Sequence, residues 1–255
     1  MVLFVSDLHF DHRPPPSDPL LSEGRKAEQD LLACLEGHRP DHVVLLGDVF
    51  DAWIEYRDLV PKGLTRLLGH LARHVDAGGK VTWVVGNHDP WHRTFAEREL
   101  GFRLLRGSVT ENLEGRRVRF GHGDQEEYGG ISAWQRFIRS PLVHRAYAEL
   151  LPGGFGQWLA RMWSRGARSS RLDPITVEAL RRDAVTRLES GEAEIVVYGH
   201  CHGASRLDTD GGTYLNTGSW ALNRSYALLD ADGIRLLRFD PASREESRAP
   251  KPATL

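Results

Sequence analysis

The stretch VVGNHD, residues 84–89, ends an apolar run with an amide, an imidazole and a carboxylate side by side. Its two valines complete the run VTWVV, residues 81–85, whose β-branched side chains predict a buried strand. Gly86 and the following Pro90 indicate a sharp break in the backbone directly after that strand. One polar cluster at a strand end is commonly a solvated turn, so its meaning depends on how the other strands end.

Four further apolar runs of strand length also end in polar clusters. The runs cover residues 1–5, 42–46, 117–120 and 194–198. The clusters that follow them are Ser6-Asp7-Leu8-His9, Gly47-Asp48-Val49-Phe50-Asp51, Gly121-His122-Gly123-Asp124 and Gly199-His200-Cys201-His202. Because five strands end in the same way, the clusters indicate a shared site rather than five unrelated turns.

Helical spacing between the first three strands predicts how the sheet is built. Segments at about 25–38 and 58–76 have this spacing. Strand, helix and strand therefore alternate, which predicts an α/β fold with a largely parallel sheet covered by helices. Ligands of such sheets bind beyond the carboxyl ends of the strands, and all five polar clusters lie at those ends.

The C-terminal part of the chain has a different pattern. Residues 203–239 are short apolar runs separated by Asp-Gly turns at 210–211 and 232–233, which predict antiparallel hairpins. The tail at 241–255 is charged and contains proline, so we expect it to be loose. We therefore predict a single domain over residues 1–240.

An insertion at about 129–171 interrupts the strand pattern. Its two halves have helical spacing and are divided at 152–154, which predicts a helical cap. The insertion carries seven arginines against one acid, Glu149. Two alternatives are open: the basic helices present a solvated face, or their arginines bind a diphosphate or an anionic membrane surface.

Composition limits the classes of function. The chain has 255 residues, 40% of them hydrophobic, and a net charge of −2, which argues against a nucleic-acid partner. Its two cysteines, Cys34 and Cys201, are far apart and form no disulfide framework, which suits a reducing cytosol. The N-terminus lacks a basic signal-peptide region and no apolar run reaches membrane-spanning length. We expect a soluble, cytoplasmic protein whose basic cap is the part able to meet the inner-membrane surface.

The polar clusters supply oxygen and imidazole ligands without thiolates. The candidate metal ligands are Asp7, His9, Asp48, Asn87, His122, His200 and His202. Such a set suits manganese, iron or zinc better than calcium, and it is large enough for two divalent ions that share a carboxylate. A two-metal centre activates water and clamps a phosphoryl group during in-line attack. We therefore expect two divalent ions, with manganese as the first choice, and a substrate that contains phosphate.

Other polar residues of the clusters are left for supporting roles. Asp51, Asp89 and Asp124 are candidates to orient the ligating histidines, and Asp89 in particular to hold the imidazole of His88. His88 itself is free to reach the substrate, as a proton donor to the leaving oxygen or a partner for phosphate charge. The string at 216–220 predicts a turn, with a place in the pocket lining as the alternative.

The motifs DLH, GDxxD, GNHD, GHGD and GHCH, in this order over residues 7–202, resemble the calcineurin-like metallophosphoesterase superfamily. The resemblance implies a four-layer αββα sandwich and the catalytic role for His88. It implies two metal sites that share Asp48 as the bridging ligand. The first site would consist of Asp7, His9, Asp48 and His202, and the second of Asp48, Asn87, His122 and His200.

A narrower resemblance rests on GDVFDAWIE at 47–55, on the HGD motif and on the arginine- and aromatic-rich insertion. These features are similar to the UDP-2,3-diacylglucosamine pyrophosphohydrolases of lipid A synthesis, although those enzymes usually have arginine in place of His88. The resemblance implies cleavage of a nucleotide-linked glycolipid into UMP and a lipid monophosphate, with acyl chains under the cap. The candidate cap residues for substrate are Arg136, Arg139, Arg161, Arg165, Trp134, Trp158 and Trp163.

Two other functions are consistent with the same motifs. One is a metallophosphatase or phosphodiesterase acting on a soluble substrate, such as a phosphoprotein, a dinucleoside polyphosphate or a cyclic nucleotide. The other is a scaffold that keeps the fold and binds partners without catalysis. The intact ligand positions and His88 argue against the scaffold, and a large apolar cap would favour a lipid over a soluble substrate.

Overall fold

The first half of the chain alternates strands with helices, as its spacing predicts. The computed structural model describes residues 1–10, 19–126, 133–167, 174–241 and 246–248. The elements up to the fourth strand are β1 (Val2–Val5), α1 (Pro19–His38), β2 (His42–Leu46), α2 (Thr65–Asp76), β3 (Lys80–Val84), α3 (Phe95–Arg98) and β4 (Arg103–Leu105).

The second half consists of a group of helices between two sets of strands. Its elements are β5 (Val109–Leu113), β6 (Arg116–Phe120), α4 (Ala133–Ile138), α5 (Pro141–Leu150), α6 (Gly153–Ala167), α7 (Pro174–Glu189), β7 (Ile195–Tyr198), β8 (Ser205–Thr209), β9 (Gly212–Asn216), α8 (Trp220–Asn223), β10 (Ser225–Asp230), β11 (Gly233–Phe239) and β12 (Glu246–Arg248).

The strands form two mixed sheets. The larger sheet has the order β12-β11-β10-β1-β2-β3-β4, and the smaller has the order β5-β6-β7-β9-β8. Strands β1 to β4 pair in parallel, which confirms the predicted strand–helix–strand pattern. The two Asp-Gly turns do connect antiparallel hairpins, β8–β9 and β10–β11. However, the hairpins do not share a sheet, because β9 pairs with β7 and β10 pairs with β1.

The alternation of side chains along β1 shows how the layers pack. Leu3 and Val5 belong to the buried cluster that contains the apolar faces of α1 and α2. Val2 and Phe4 point to the opposite face, where they meet side chains of the smaller sheet. Phe4 and Phe120 are in ring contact across the two sheets, with centroids 5.9 Å apart. The space between the sheets is therefore a second apolar core.

A third buried cluster covers the outer face of the smaller sheet. Leu180 and Leu188 of α7 pack there against Val196 and Tyr198 of β7. The order of layers is thus helices, large sheet, small sheet and helix, which confirms the predicted four-layer αββα sandwich. Among the described residues, no helix is both long and apolar enough to cross a membrane.

The predicted cap contains the helices α4, α5 and α6. It docks on the backbone at 54–56, where the amide of Gln157 donates to Ile54 O at 2.7 Å and His144 Nε2 donates to Glu55 O at 2.9 Å. Residues 129–132 and 168–171 of the predicted insertion lie outside the described residues, so its bounds stay a prediction.

The predicted tail contains one short strand. Residues 246–248 form β12, which pairs antiparallel with β11, so these three residues differ from the expected loose segment. An edge strand offers a row of backbone donors and acceptors, and this pairing satisfies them locally. Residues 242–245 and 249–255 lie outside the described part of the chain.

Glu55 fixes the loop that follows the third strand. Its buried carboxylate accepts hydrogen bonds from the backbone N–H groups of Arg93, Thr94 and Phe95, at 2.7, 2.7 and 2.9 Å. The same residue donates its own N–H to Trp91 O at 3.0 Å and offers its carbonyl to the cap. A single residue, through its side chain and its backbone, thus ties together the loop after β2, the loop after β3 and the cap.

We predict that Glu55→Ala lowers the free energy of unfolding by about 2–4 kcal/mol, because three backbone donors would lose a charged acceptor. The matched control is Glu97→Ala, which removes an exposed carboxylate from α3. Urea denaturation of both variants and the unmodified chain measures the difference. A Glu55 variant as stable as the Glu97 variant would contradict the role given to Glu55.

Candidate metal centre

The candidate ligands lie where strands of both sheets end, and their backbone is held in an uncommon conformation. Five of them have positive φ angles: Asp7 (53°), His9 (46°), Asp48 (50°), His200 (70°) and His202 (57°). Non-glycine residues adopt this left-handed region rarely, and such strain concentrates at functional sites because the surrounding structure enforces it. The strand-end loops thus aim these side chains at one another.

Asp7, His9 and His202 form the first group. The two Nε2 atoms of His9 and His202 are 3.0 Å apart. Asp7 Oδ1 lies 3.2 Å from His202 Nε2 and 3.7 Å from His9 Nε2. All three donor atoms therefore surround one small volume, which is one of the groups able to hold an ion.

Asp48, Asn87 and His122 form a second group beside the first. His122 Nε2 is 2.9 Å from Asn87 Oδ1 and 3.4 Å from Asp48 Oδ2. The ring of His200 is in edge contact with that of His122, with centroids 4.9 Å apart. Asp48 Oδ2 is also 3.8 Å from His9 Nε2, so Asp48 stands between the two groups as a bridging ligand must.

The donor distances fit two metal ions. Metal–nitrogen distances of about 2.0–2.1 Å at tetrahedral to octahedral angles place neighbouring donors about 2.9–3.4 Å apart. The closest pairs within the two groups are 2.9, 3.0, 3.2 and 3.4 Å apart. Asp7 Oδ1 is buried and accepts no hydrogen bond within the described part of the chain. A cation is the partner that suits this arrangement of donors.

The charges of the site also favour a cation. Burial alone would raise the pKa of Asp7, but its contacts with His202 and His9 outweigh burial and hold the pKa well below its ordinary value. The pKa of Asp48 is likewise lowered, since His122 and His88 outweigh its burial. Burial disfavours the charged form of His122, yet the negative charge of Asp48 raises its pKa well above the ordinary value. The site around Asp7 and Asp48 therefore stabilises positive charge, whether a protonated imidazole or a metal ion provides it.

The backbone fixes which nitrogen of His122 faces the site. Its Nδ1 lies 2.8 Å from Leu46 O, and because a carbonyl can only accept, Nδ1 carries the proton and Nε2 is left for a metal. On the other side of the site, Asp51 Oδ1 lies 3.3 Å from His9 Nδ1. This contact agrees with the predicted role of Asp51 in orienting a histidine.

Asp89 has a different partner from the one predicted. Its carboxylate accepts from Val49 N at 2.9 Å and from Gly86 N at 2.8 Å, so it does not hold the imidazole of His88. The physical reason is that both of its carboxylate oxygens are occupied by backbone N–H groups, one from the loop after β2 and one from its own loop. Burial and the nearby charge of Asp48 raise the pKa of Asp89 to about 6. Asp89 therefore joins the loops after β2 and β3.

Asp124 connects the site to the cap. Its carboxylate forms an ion pair with the guanidinium of Arg139, which lies between α4 and α5. Its negative charge is one of those that raise the pKa of His122. Among the described contacts, Asp124 therefore acts on the ligating histidine through its charge, while its hydrogen bond goes to the cap.

His88 lies within the metal groups. Its backbone N–H donates to Asp48 Oδ1 at 2.8 Å, and its ring is in edge contact with that of His9, with centroids 5.0 Å apart. The ring Nδ1 is 3.2 Å from Asp51 O, and because a carbonyl can only accept, this contact places a proton on Nδ1. Burial lowers the pKa of His88. The catalytic role of His88 stays a prediction that this position supports.

The candidate cap residues divide into those described and those not. Arg139 contacts Asp124, Arg136 is exposed on α4, and Trp158 is half-exposed and stacked on Phe155. The side chains of Trp134, Arg161, Trp163 and Arg165 lie outside the described residues. The structure thus brings Arg139 to the loop of a predicted ligand and leaves the substrate role of the cap a prediction.

The sequence did not indicate the residues that hold Asp7. Ser6 Oγ is 2.5 Å from Asp7 Oδ2 and 2.7 Å from Thr217 Oγ1, and Ser219 donates to Asp7 O at 3.0 Å. The string at 216–220 therefore supports a ligand rather than serving only as a turn. Its hydroxyl-rich composition was the available signal, but nothing in the sequence placed it against β1.

Gly86 allows the loop after β3 to approach the loop after β2 closely. A Cβ at this position would collide with the backbone N and the Oδ1 of Asp48. The loops after β2 and β3 can therefore approach each other only where glycine stands. The first glycine of GNHD serves packing between two ligand-bearing loops.

A family model described as calcineurin-like phosphoesterase matches residues 1–204. The chain belongs to the calcineurin-like phosphoesterase family. Family membership and the candidate ligand groups together make the chain a metal-dependent phosphohydrolase. The superfamily predicted from the five motifs is confirmed.

Several curated relatives of this phosphoesterase share one name. A UDP-2,3-diacylglucosamine hydrolase of Porphyromonas gingivalis is 36% identical over 59% of this chain, and the match spans 57% of that relative. Proteins of the same name from Salmonella arizonae and Salmonella typhi are 27% and 28% identical over 93% of this chain and 98% of their own length. The narrower resemblance stated from the motifs agrees with these names.

Solved structures similar to this phosphoesterase are more distant. Vps29 of Entamoeba histolytica complexed with zinc has a TM-score of 0.48 and 14% identity, with 97% of each chain covered. The phosphoesterase Yfce of E. coli has a TM-score of 0.46 and 16% identity over 96% of this chain and 95% of that chain. We draw no functional conclusion from either likeness.

We predict that Asp48→Asn lowers the metal content of the manganese-loaded protein from about two ions per chain to one or fewer, because a bridging negative charge is lost. Inductively coupled plasma mass spectrometry measures the content. Asp58→Asn, at an exposed position in the loop before α2, is the matched control and should keep the full content. An Asp48 variant with unchanged stoichiometry would show that Asp48 does not bridge.

Proposed function

We propose that this phosphoesterase hydrolyses the diphosphate of a nucleotide-linked glycolipid of the UDP-2,3-diacylglucosamine class, with release of UMP and a lipid monophosphate. The observation that carries the proposal is a match to hydrolases of that name over 93% of the chain, a span too long to exclude the cap. The paired ligand groups, which suit phosphoryl chemistry, support the reaction type.

We propose that the site holds two divalent ions, with manganese as the first choice. Asp7, His9 and His202 would hold the first ion, Asn87, His122 and His200 the second, and Asp48 both. When bound, the ions would supply an activated water and neutralise phosphate charge. The mixture of carboxylate, amide and imidazole ligands supports manganese but is also suited to iron or zinc.

His88 would act on the leaving group. Its Nδ1–H is held by Asp51 O, so Nε2 is the atom that can carry a proton to a phosphate oxygen. A lowered pKa means that the imidazole gives up such a proton readily. A dianionic substrate beside the ring would favour the protonated form before transfer, since an opposite charge stabilises it.

The exposed face of α6 suits acyl chains. Phe155, Trp158 and Met162 follow helical spacing on this helix, and 51%, 49% and 54% of their respective surfaces are exposed. Exposed apolar side chains grouped in this way mark an interaction surface. The stripe supports a lipid substrate over a soluble phosphoester.

The proposed glycolipid substrate also suggests where in the cell the protein works. A diacylated glycolipid resides in a membrane, and the stripe on α6 lies on the basic cap. We therefore propose a cytoplasmic protein that meets the inner-membrane surface through this cap.

We predict that His88→Ala keeps both metal ions and lowers kcat for UMP release at least about a hundredfold, the usual range for loss of a general acid. The assay is UMP release from UDP-2,3-diacylglucosamine by the manganese-loaded protein. His70→Ala on α2, outside the described metal groups, is the matched control. Unchanged turnover in the His88 variant would remove this residue from the mechanism.

An artificial phosphodiester, assayed beside the glycolipid, tests phosphoester hydrolysis independently of the identity of the natural substrate. Hydrolysis of the diester without UMP release would contradict the glycolipid substrate and leave the phosphoesterase. Hydrolysis of neither, for a protein with two bound ions, would favour the scaffold alternative.

We predict that the double variant Phe155→Ser, Trp158→Ser raises KM for the diacylated substrate about tenfold or more, because each lost aromatic contact weakens apolar binding. Turnover of the artificial phosphodiester should stay unchanged, since that substrate has no acyl chains. Leu222→Ser on α8, which also removes an exposed apolar side chain, is the control. An unchanged KM for the glycolipid would contradict acyl binding by α6.

A further inference from the structure

A cavity of about 290 Å³ lies between the loop that carries His88 and the first helices of the cap. Four arginines line it: Arg93, Arg106, Arg139 and Arg145. His92 and His144 are also part of the lining, and none of the described lining residues is acidic. In a chain whose net charge is −2, this is a strong local excess of positive charge.

Arg93 has a guanidinium nitrogen that is available to bind an anion. Its Nη1 is buried and makes no hydrogen bond within the described part of the chain. The buried acid Glu55 is close in space, but its carboxylate is taken by the backbone amides of residues 93–95. A buried guanidinium nitrogen without a partner is costly, so the position calls for an acceptor.

Contacts position two of the other three arginines, and N–H donors remain available on all three guanidinium groups. Arg106 donates from Nη2 to His92 O at 2.8 Å, and Arg139 is oriented by its ion pair with Asp124. Each guanidinium has five N–H donors in a rigid fork, so one contact positions the group without exhausting it. Arg145, one turn into α5, is exposed, and none of the described ion pairs includes it.

The first turn of α5 adds to the same potential. Pro141, the first residue of this ten-residue helix, lines the cavity, and the side chain of Ser140 does not cap the helix. The N-terminus of a helix carries partial positive charge and free N–H groups. Burial lowers the pKa of His144, and the charges of Arg93 and Arg106 lower it further.

We propose that this cavity binds a phosphate group, and that during the reaction it holds the phosphate of the diphosphate that is not attacked. The second part rests on the proposed function. Pro90 lines the cavity and is two residues from His88, so their Cα atoms are at most about 7.6 Å apart. Planar, forked guanidinium groups match the oxygens of phosphate, and several arginines with a helix N-terminus suit a dianion.

The test compares two substrates and two cavity variants. Arg93→Gln removes the unpaired buried donor, and Arg145→Gln removes an exposed charge from the rim, where folding is not at risk. Arg98→Gln, on the exposed surface of α3 and outside the cavity lining, is the matched control. For both cavity variants we expect KM for UDP-2,3-diacylglucosamine to rise about tenfold or more, with kcat/KM for a monophosphate diester within about twofold of the unmodified chain.

A binding measurement tests the cavity as a phosphate site independently of the proposed substrate. Inorganic phosphate is titrated into the full chain after chelation of the metals, with circular dichroism to confirm that it is folded. We expect phosphate binding by the unmodified chain and the Arg98 variant, and its loss in the Arg93 and Arg145 variants. This readout does not depend on UMP release, so it tests the cavity even where the glycolipid proves not to be the substrate.

The outcomes distinguish the two parts of the proposal. Loss of phosphate binding with an unchanged KM would assign the cavity to free phosphate and overturn its role toward the substrate. Absence of phosphate binding in the unmodified folded chain, together with unchanged kinetics in both variants, would overturn the anion site altogether. Equal losses on both substrates would show a general disturbance of the metal centre and would also contradict the proposal.

Discussion

The constraint on which the rest of the structure depends is the burial of two carboxylates side by side. Asp7 and Asp48 are 0% and 1% exposed, and both remain charged because imidazoles surround them. Burial of uncompensated charge is among the most costly events in folding. The sandwich tolerates it because the strand ends of both sheets place histidines around these carboxylates, and a pair of cations would complete the compensation.

That compensation needs loops with uncommon backbone geometry. Five candidate ligands take positive φ angles, and Gly86 permits two loops to touch where any side chain would collide. The strain is held by neighbours such as Asp89 and Ser6, whose hydrogen bonds join separate strand ends. Hydrogen bonds of this kind fix the positions of ligand-bearing loops, which in-line phosphoryl chemistry requires of its positioning groups.

The cap is attached to this rigid site through few polar contacts. Glu55, Gln157 and Asp124 connect it to the loops that follow β2 and β6. Between cap and core the structure leaves a basic cavity, and on the outer face of α6 it leaves an apolar stripe. The cavity presents positive charge and the stripe presents apolar side chains, which are the two kinds of surface that the proposed phosphorylated lipid would require.

By itself the sequence determined the α/β class and the parallel pairing of the first strands, and the resemblance of its motifs implied the four layers. It also predicted a ligand set whose members the structure brings together, although their role as ligands stays a prediction. It could do so because strand periodicity and residue type are local, and because ligands at the ends of parallel strands share an edge. It assigned Asp89 to the wrong partner and gave no sign of the Ser6–Thr217 contact, of Glu55 as an anchor or of the arginine cavity. Only the tertiary structure decided these, because a hydrogen bond depends on which distant loop comes within about 3 Å, and sequence spacing does not carry that distance.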